Sequence, residues 1–219
     1  MRQHPARRRA FAASLAALAG YVDAIGVLTL GGLFVSFMSG YSTRAGVDAT
    51  LDASRAVLAL LLFATFVLGV IAGSFAGERA GQRRARRVLS VMAAALVAAT
   101  ACVALGWNIP GMLAATFAMG ATNAIFAPGS GLPVGLTYMT GTLVRLGQTI
   151  ASGLAGTGDR RAWQPYAVHW LALLAGALLG TFAQLAFGPV ALGAGAVVFL
   201  IAAMLEMRKP VQLKPARKM

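Results

Sequence analysis

The chain has 219 residues, is 58% hydrophobic and only 11% charged, and carries 19 Lys and Arg against six Asp and Glu, a net charge of +13. A mean hydropathy of +0.75 is far from the balance of a soluble domain and marks an integral membrane protein. The basic residues lie in clusters between apolar runs, with no basic face of interleaved aromatics, which argues against nucleic acid; the single Cys102 excludes an internal disulfide framework.

About 20 helical residues cross a hydrocarbon core of about 30 Å. The first run of that length is Phe11 to Leu30. It follows RRRAF, which also resembles a secretory signal. Leu33 to Val47 is apolar but broken by Gly, Ser, Thr and Arg44. Backbone at membrane depth must find partners, so this segment is predicted to be a covered re-entrant or half-helical excursion. Further spans are predicted at Ala56 to Ala76, Val88 to Leu105 and Ile109 to Ala127. A second broken segment, Leu132 to Leu154, contains Arg145 and precedes spans at Tyr166 to Phe187 and Val190 to Met207.

Charge sets the expected orientation. The N-terminal tail carries Arg2, Arg7, Arg8 and Arg9; the loop after the second span carries Arg79, Arg83, Arg84, Arg86 and Arg87; residues 208–219 form a third basic cluster. The positive-inside rule places all three in the cytoplasm, provided that Leu33 to Val47 does not cross. Asp48 and Asp52 are then outside, Asp159, Arg160 and Arg161 inside, and both termini cytoplasmic.

The chain also repeats itself. GYVDAI at 20–25 returns as GATNAI at 120–125, FMSGYSTRAG at 37–46 as YMTGTLVRLG at 138–147, and GVIAGSFA at 69–76 as GALLGTFA at 176–183. The offset grows from 100 to 101 to 107 residues, as loop insertions produce in a duplicated unit. Cleavage near residue 20 would remove the partner of the fourth span, so the first span is expected to stay in the mature protein. Residues 10–107 form the first repeat and 108–207 the second, within one membrane domain over 1–219 that ends in the basic tail 208–219. Each half holds three spans, an odd number, so the second is inverted. The predicted fold is therefore all-α and polytopic, six transmembrane helices with two excursions in a 3+3 inverted repeat. Many secondary transporters are organised in this way, with sites where broken helices meet.

GYVDA in the first span, M-S/T-G in each excursion and G-x-x-N-A in the fourth span resemble the YoaK-type family of bacterial membrane proteins. The resemblance covers nearly the whole chain and implies six spans in the bacterial inner membrane, with no established activity. Members often have Asn after the first M-T-G, where this chain has Tyr41.

The candidate site consists of polar groups inside apolar runs. Asp23 is expensive in hydrocarbon and should face the bundle interior, either as a proton, cation or substrate site or as a packing carboxyl that locks helices together. Its echo Asn123 is either a ligand group or a helix-to-helix hydrogen bond. Ser39, Gly40, Thr140 and Gly141 suit tight turns, from which half-helices starting near Ser42 and Thr142 would aim free N–H groups at a polar or anionic ligand; close packing is the alternative. Arg44 and Arg145 lie in the first turn or so of those half-helices, where the dipole disfavours a cation, and so need a counter-charge, an anion, or interfacial water. Asp23 is expected to neutralise Arg44, which leaves Arg145 as the surplus charge. The glycine series at 69, 73, 77 and at 176, 180 is read as helix packing. Trp163, Tyr166, His169, Trp170 and Trp107 fit interfacial belts. No enzyme or metal motif occurs, and no cofactor is implied. The expected function is a transporter or channel for a small polar or anionic solute, with a membrane scaffold or accessory subunit as alternative; the expected partners are the lipid bilayer and the solute or anion, with a homo-oligomer open.

Overall fold

The computed structural model describes residues 5–126, 137–197 and 201. Among these the fold is entirely helical. The helices are α1 (Pro5–Thr29), α2 (Ser39–Leu51), α3 (Ala53–Ala80), α4 (Arg84–Ala104), α5 (Asn108–Thr122), α6 (Met139–Leu154) and α7 (Gln164–Phe187); residues 191–197 are again helical.

Local chemistry explains the boundaries. α1 stops at Gly31 and Gly32, whose φ angles of +62° and +99° are costly for any residue with a Cβ. Asp52 caps α3: its carboxylate accepts from the N–H groups of Ser54 and Arg55. The Ser54 hydroxyl, then the Arg55 N–H, hold that carboxyl below its usual range. α3 ends at Gly81, which leads into a single 3-10 turn, Gly81–Arg83.

Four helices are long and apolar enough to cross a membrane, over Arg9–Thr29, Ala53–Ala80, Arg84–Ala104 and Gln164–Phe187. They contain the expected first, second, third and fifth spans almost completely. The expected fourth span is shorter than predicted: α5 has 15 residues, about 22 Å of helix, and the chain turns at Asn123. The expected sixth span beyond residue 197, apart from 201, lies outside the described residues, as do positions 127–136 and the tail. The half-helices begin at Ser39 and Met139, three residues before the expected starts. The glycines at 40 and 141 therefore lie inside a first helical turn, and in the first half the bend is made by the non-helical stretch 33–38.

α1 packs on α7, α3 on α5, α4 on α5, α2 on α3 and α6 on α7. Glycines make two of these crossings possible. A Cβ on Gly20 would strike the Leu173 carbonyl, and one on Gly176 or Gly180 would strike the carbonyl of Ala17 or Tyr21. In the other pair, a Cβ on Gly120 would strike the Phe66 carbonyl and one on Gly69 that of Phe117. The main core lies between α1, α4, α5 and the helical residues 191–196, with Leu18, Val22, Met92, Leu96, Met119 and Leu192 buried there. A second cluster fastens the stretch 33–38 and the start of α2 to α3 through Leu33, Tyr41, Ala59 and Leu62. The outer faces of α3 and α7 remain apolar, with Leu68, Ile71, Phe75, Leu178, Phe182 and Leu185 each more than half exposed. In lipid such faces are at home.

α1 and α5 run antiparallel. Phe11, at the start of α1, meets Phe126 just beyond α5 edge to face at 5.9 Å. At the other end Thr29 and Leu30 share an open depression with Trp107, Asn108 and Pro110.

Candidate functional site

Asp23 lies six residues before the end of α1, about 9 Å along its axis. Its Oδ1 accepts from the N–H groups of Val35 at 2.8 Å and Ser36 at 2.7 Å, and the Ser36 hydroxyl donates to Oδ2 at 2.6 Å. One carboxylate thus satisfies the N–H groups of two buried residues whose backbone has left regular helix, as burial demands. The same chemistry recurs at Asn123, whose Oδ1 accepts from the N–H and the hydroxyl of Thr137, both at 3.3 Å. Its Nδ2 donates to the Met119 carbonyl at 2.9 Å, a bond that no carboxylate could make.

These bonds fix where the short helices start. The Tyr41 hydroxyl adds a further tie by donating to the Phe34 carbonyl. Neither Met38, at the N-cap of α2, nor Tyr138, at that of α6, provides a side-chain cap. By helix geometry the first N–H groups, among them those of Ser39 and Gly40 in α2 and of Thr140 and Gly141 in α6, have no partner within their helix. Ser39 and Thr140 are exposed, while Gly40 and Gly141 pack beside the rings of Phe37 and Tyr138.

The arginines differ from expectation. Arg44 pairs with Asp48, not with Asp23: its Nε lies 3.0 Å from Asp48 Oδ2, one helical turn along α2. Asp23 is occupied by the excursion backbone, and a neighbour at i+4 on the same helix face is closer to hand. Arg145 is exposed and has no ion pair with a described residue. At the position on α6 that corresponds to Asp48 stands Thr149, whose hydroxyl donates to the Arg145 carbonyl at 2.8 Å.

The eight residues do not form one cluster. With Phe11 level with Phe126 and Thr29 level with Asn108, Asp23 and Asn123 are separated by about nine residues, roughly 13 Å, along the α1–α5 axis. They fall into two groups along the chain: Asp23, with the start of α2 (Ser39, Gly40, Arg44), and Asn123, with the start of α6 (Thr140, Gly141, Arg145).

Several partners were not singled out in the sequence. Ser36 and Thr137 are the hydroxyl residues just before F-M-S-G and Y-M-T-G, at the same repeat offset, which is the signal that could have found them. Arg84 Nε donates to the Ala124 carbonyl at 2.9 Å and Arg55 Nη2 to the Gly31 carbonyl at 3.0 Å. Each places a cation at the carbonyl end of a helix, where the dipole favours it. Among the described residues no group of three His, Cys, Asp or Glu could hold a metal.

The family described as "Protein of unknown function (DUF1275)" matches residues 11–205. The UPF0700 transmembrane protein RA0705 of Rhizobium meliloti (strain 1021) is 36% identical over 186 residues, 84% of this chain and 79% of its own. No solved structure matches significantly.

Proposed function

The chain belongs to the DUF1275 family, membrane proteins of unknown function, and from its two groups of polar residues we propose a transporter or channel for a small polar or anionic solute. One observation carries the reading: two short helices, α2 and α6, each start without a side-chain cap just after non-helical residues, Ser36 and Thr137, whose N–H groups a polar side chain, Asp23 or Asn123, accepts. Such starts present free N–H groups where an anionic group can be bound.

The reading includes a 3+3 inverted repeat of six spans, 10–107 and 108–207, in a bacterial inner membrane with both termini cytoplasmic. It is supported by the antiparallel course of α1 and α5 and by the matched crossings. Gly20 on Leu173 and Gly120 on Phe66 occupy repeat-equivalent positions, as do Gly176 on Ala17 and Gly69 on Phe117. Asp23 with Ser36 and Asn123 with Thr137 are equivalent as well. The YoaK-type resemblance belongs to the same proposal. In this reading the chain performs no catalytic step.

Uptake of small anions into proteoliposomes, with and without a pH gradient, tests it. Saturable uptake that needs the protein is expected; absence of uptake for every solute would favour a membrane scaffold or accessory subunit. That second reading draws on Asp23 itself, whose two oxygens are already engaged by three donors.

A further inference from the structure

We propose that the turn joining α3 to α4 binds the phosphate of an anionic phospholipid. Two spans that pack on each other meet here through Gly81, whose φ of +50° lets the chain reverse within Gly81–Arg83. The turn therefore stands where both helices leave the hydrocarbon. On the outer face of α3, Leu68, Ile71 and Phe75 are exposed at successive turns, and Arg79 follows them. The Arg79 guanidinium carbon lies 3.9 Å from the Phe75 ring centroid. That contact holds the cation against the lipid-facing stripe rather than free in water.

α4 brings the rest. Arg83, Arg86 and Arg87 are exposed at its start, and exposed Ser90, Ala94 and Val97 continue from them down the lipid-facing side. Four arginines thus stand at the same end of two helices that pack on each other, each above an exposed face, and none has an ion pair with a described residue. Glu78 is the only acidic residue between Asp52 and Asp159. Arg84 is not part of the set, because its guanidinium is turned inward to Ala124.

The occupant follows from charge and place. A zwitterionic headgroup would bring its own ammonium to a site already rich in cations, whereas an anionic one brings net negative charge. A soluble phosphate could meet the guanidinium groups, but only a lipid also lays acyl chains along Phe75 and Ile71 on α3 and Val97 on α4, further down the same exposed faces.

The test uses the full chain in phosphatidylcholine nanodiscs, with spin-labelled phosphatidylglycerol compared with spin-labelled phosphatidylcholine of the same chain length. The immobilised fraction should favour phosphatidylglycerol by roughly fivefold or more, and the preference should vanish at about 1 M salt. Replacing Arg79, Arg83, Arg86 and Arg87 together by Gln should bring the two lipids to parity, while the same four changed to Lys should retain most of the preference because the charge is kept. Parity in the parent protein, or a preference that survives in the Gln variant, would overturn the assignment. So would loss of the preference on adding millimolar inorganic phosphate at constant ionic strength, which would identify the site as one for the soluble ion.

Discussion

Replacing Asp23 by Ala would strand the N–H groups of Val35 and Ser36 together with the Ser36 hydroxyl. Each buried donor left without an acceptor costs about 1–3 kcal/mol, so Asp23→Ala should destabilise the protein severely. Asp23→Asn is a different change. Its amide oxygen can still accept from both N–H groups, and the Ser36 hydroxyl can rotate to accept from the new amide, so a loss of about 1 kcal/mol is expected. Asn123 supports this, since an amide already performs the same task at Thr137. Thermal unfolding in detergent, with hydrogen exchange at the amides of Val35 and Ser36, separates the two variants. Equal damage from Asn and Ala would show that the negative charge matters rather than the acceptor geometry, and would return Asp23 to the role of a proton or cation site.

Helices cross here by backbone contact, which makes the crossing glycines the vulnerable points of the elements. Gly176→Ala would put a methyl group into the Ala17 carbonyl, forcing α7 away from α1. The expected loss is about 1–3 kcal/mol, as for other overpacked sites. Gly147→Ala on α6 is the control: nothing lies within 4 Å of its new Cβ, and helix propensity favours Ala by about 1 kcal/mol. Melting temperatures should move in opposite directions; a fall of similar size in both would mean that the crossing is not tight. That the glycines at 69, 73, 176 and 180 pack was legible in the sequence, because G-x-x-x-G spacing puts them on one helix face and the repeat shows the series twice; which helices they meet, and the part of Gly20 and Gly120, was not. The long spans were equally legible from apolar length alone. What Asp23 binds was not. Its partners belong to a non-helical stretch 12 and 13 residues away, where no periodicity relates one side chain to another. The pairing of Arg44 did obey a readable rule, i to i+4 along a helix, but the expected excursion ended at Val47, whereas α2 runs on to Leu51 and so carries Asp48, buried beside Arg44. The short α5 escaped because its sequence stays apolar through the turn at Asn123, where hydrogen bonding and not hydropathy ends the helix.

For the molecule as a whole, the proposed topology and the proposed site are separable. In a chain with Cys102 replaced, single cysteines at the exposed positions Thr50 and Arg83 should react with an impermeant thiol reagent from opposite sides of the membrane, because α3 crosses between them. Reaction at Arg83 from the periplasmic side and at Thr50 from the cytoplasmic side would remove the re-entrant first excursion. The site question turns on how the halves differ. In α2, Arg44 has Asp48 one turn away; in α6, Arg145 has Thr149 at the same spacing and no ion pair with a described residue. If the solute is an anion, Arg145 is the cation left to meet it, through hydrogen bonds that a guanidinium makes in pairs and an ammonium does not. Arg145→Lys should therefore weaken anion uptake or binding. Thr149→Asp is the sharper test, since it copies the pairing already present in α2 and supplies an internal competitor four residues along the same helix. An exposed i,i+4 pair changes helix stability by only about 0.3–0.5 kcal/mol, so the variant should fold as the parent does while its affinity for the anion falls. Restoring uptake with Arg145→Gln in the Thr149→Asp background is not expected, because that change removes the binding cation as well. If Thr149→Asp binds every anion as tightly as the parent, Arg145 is an anchor at the membrane interface and the ligand is held by the helix starts alone.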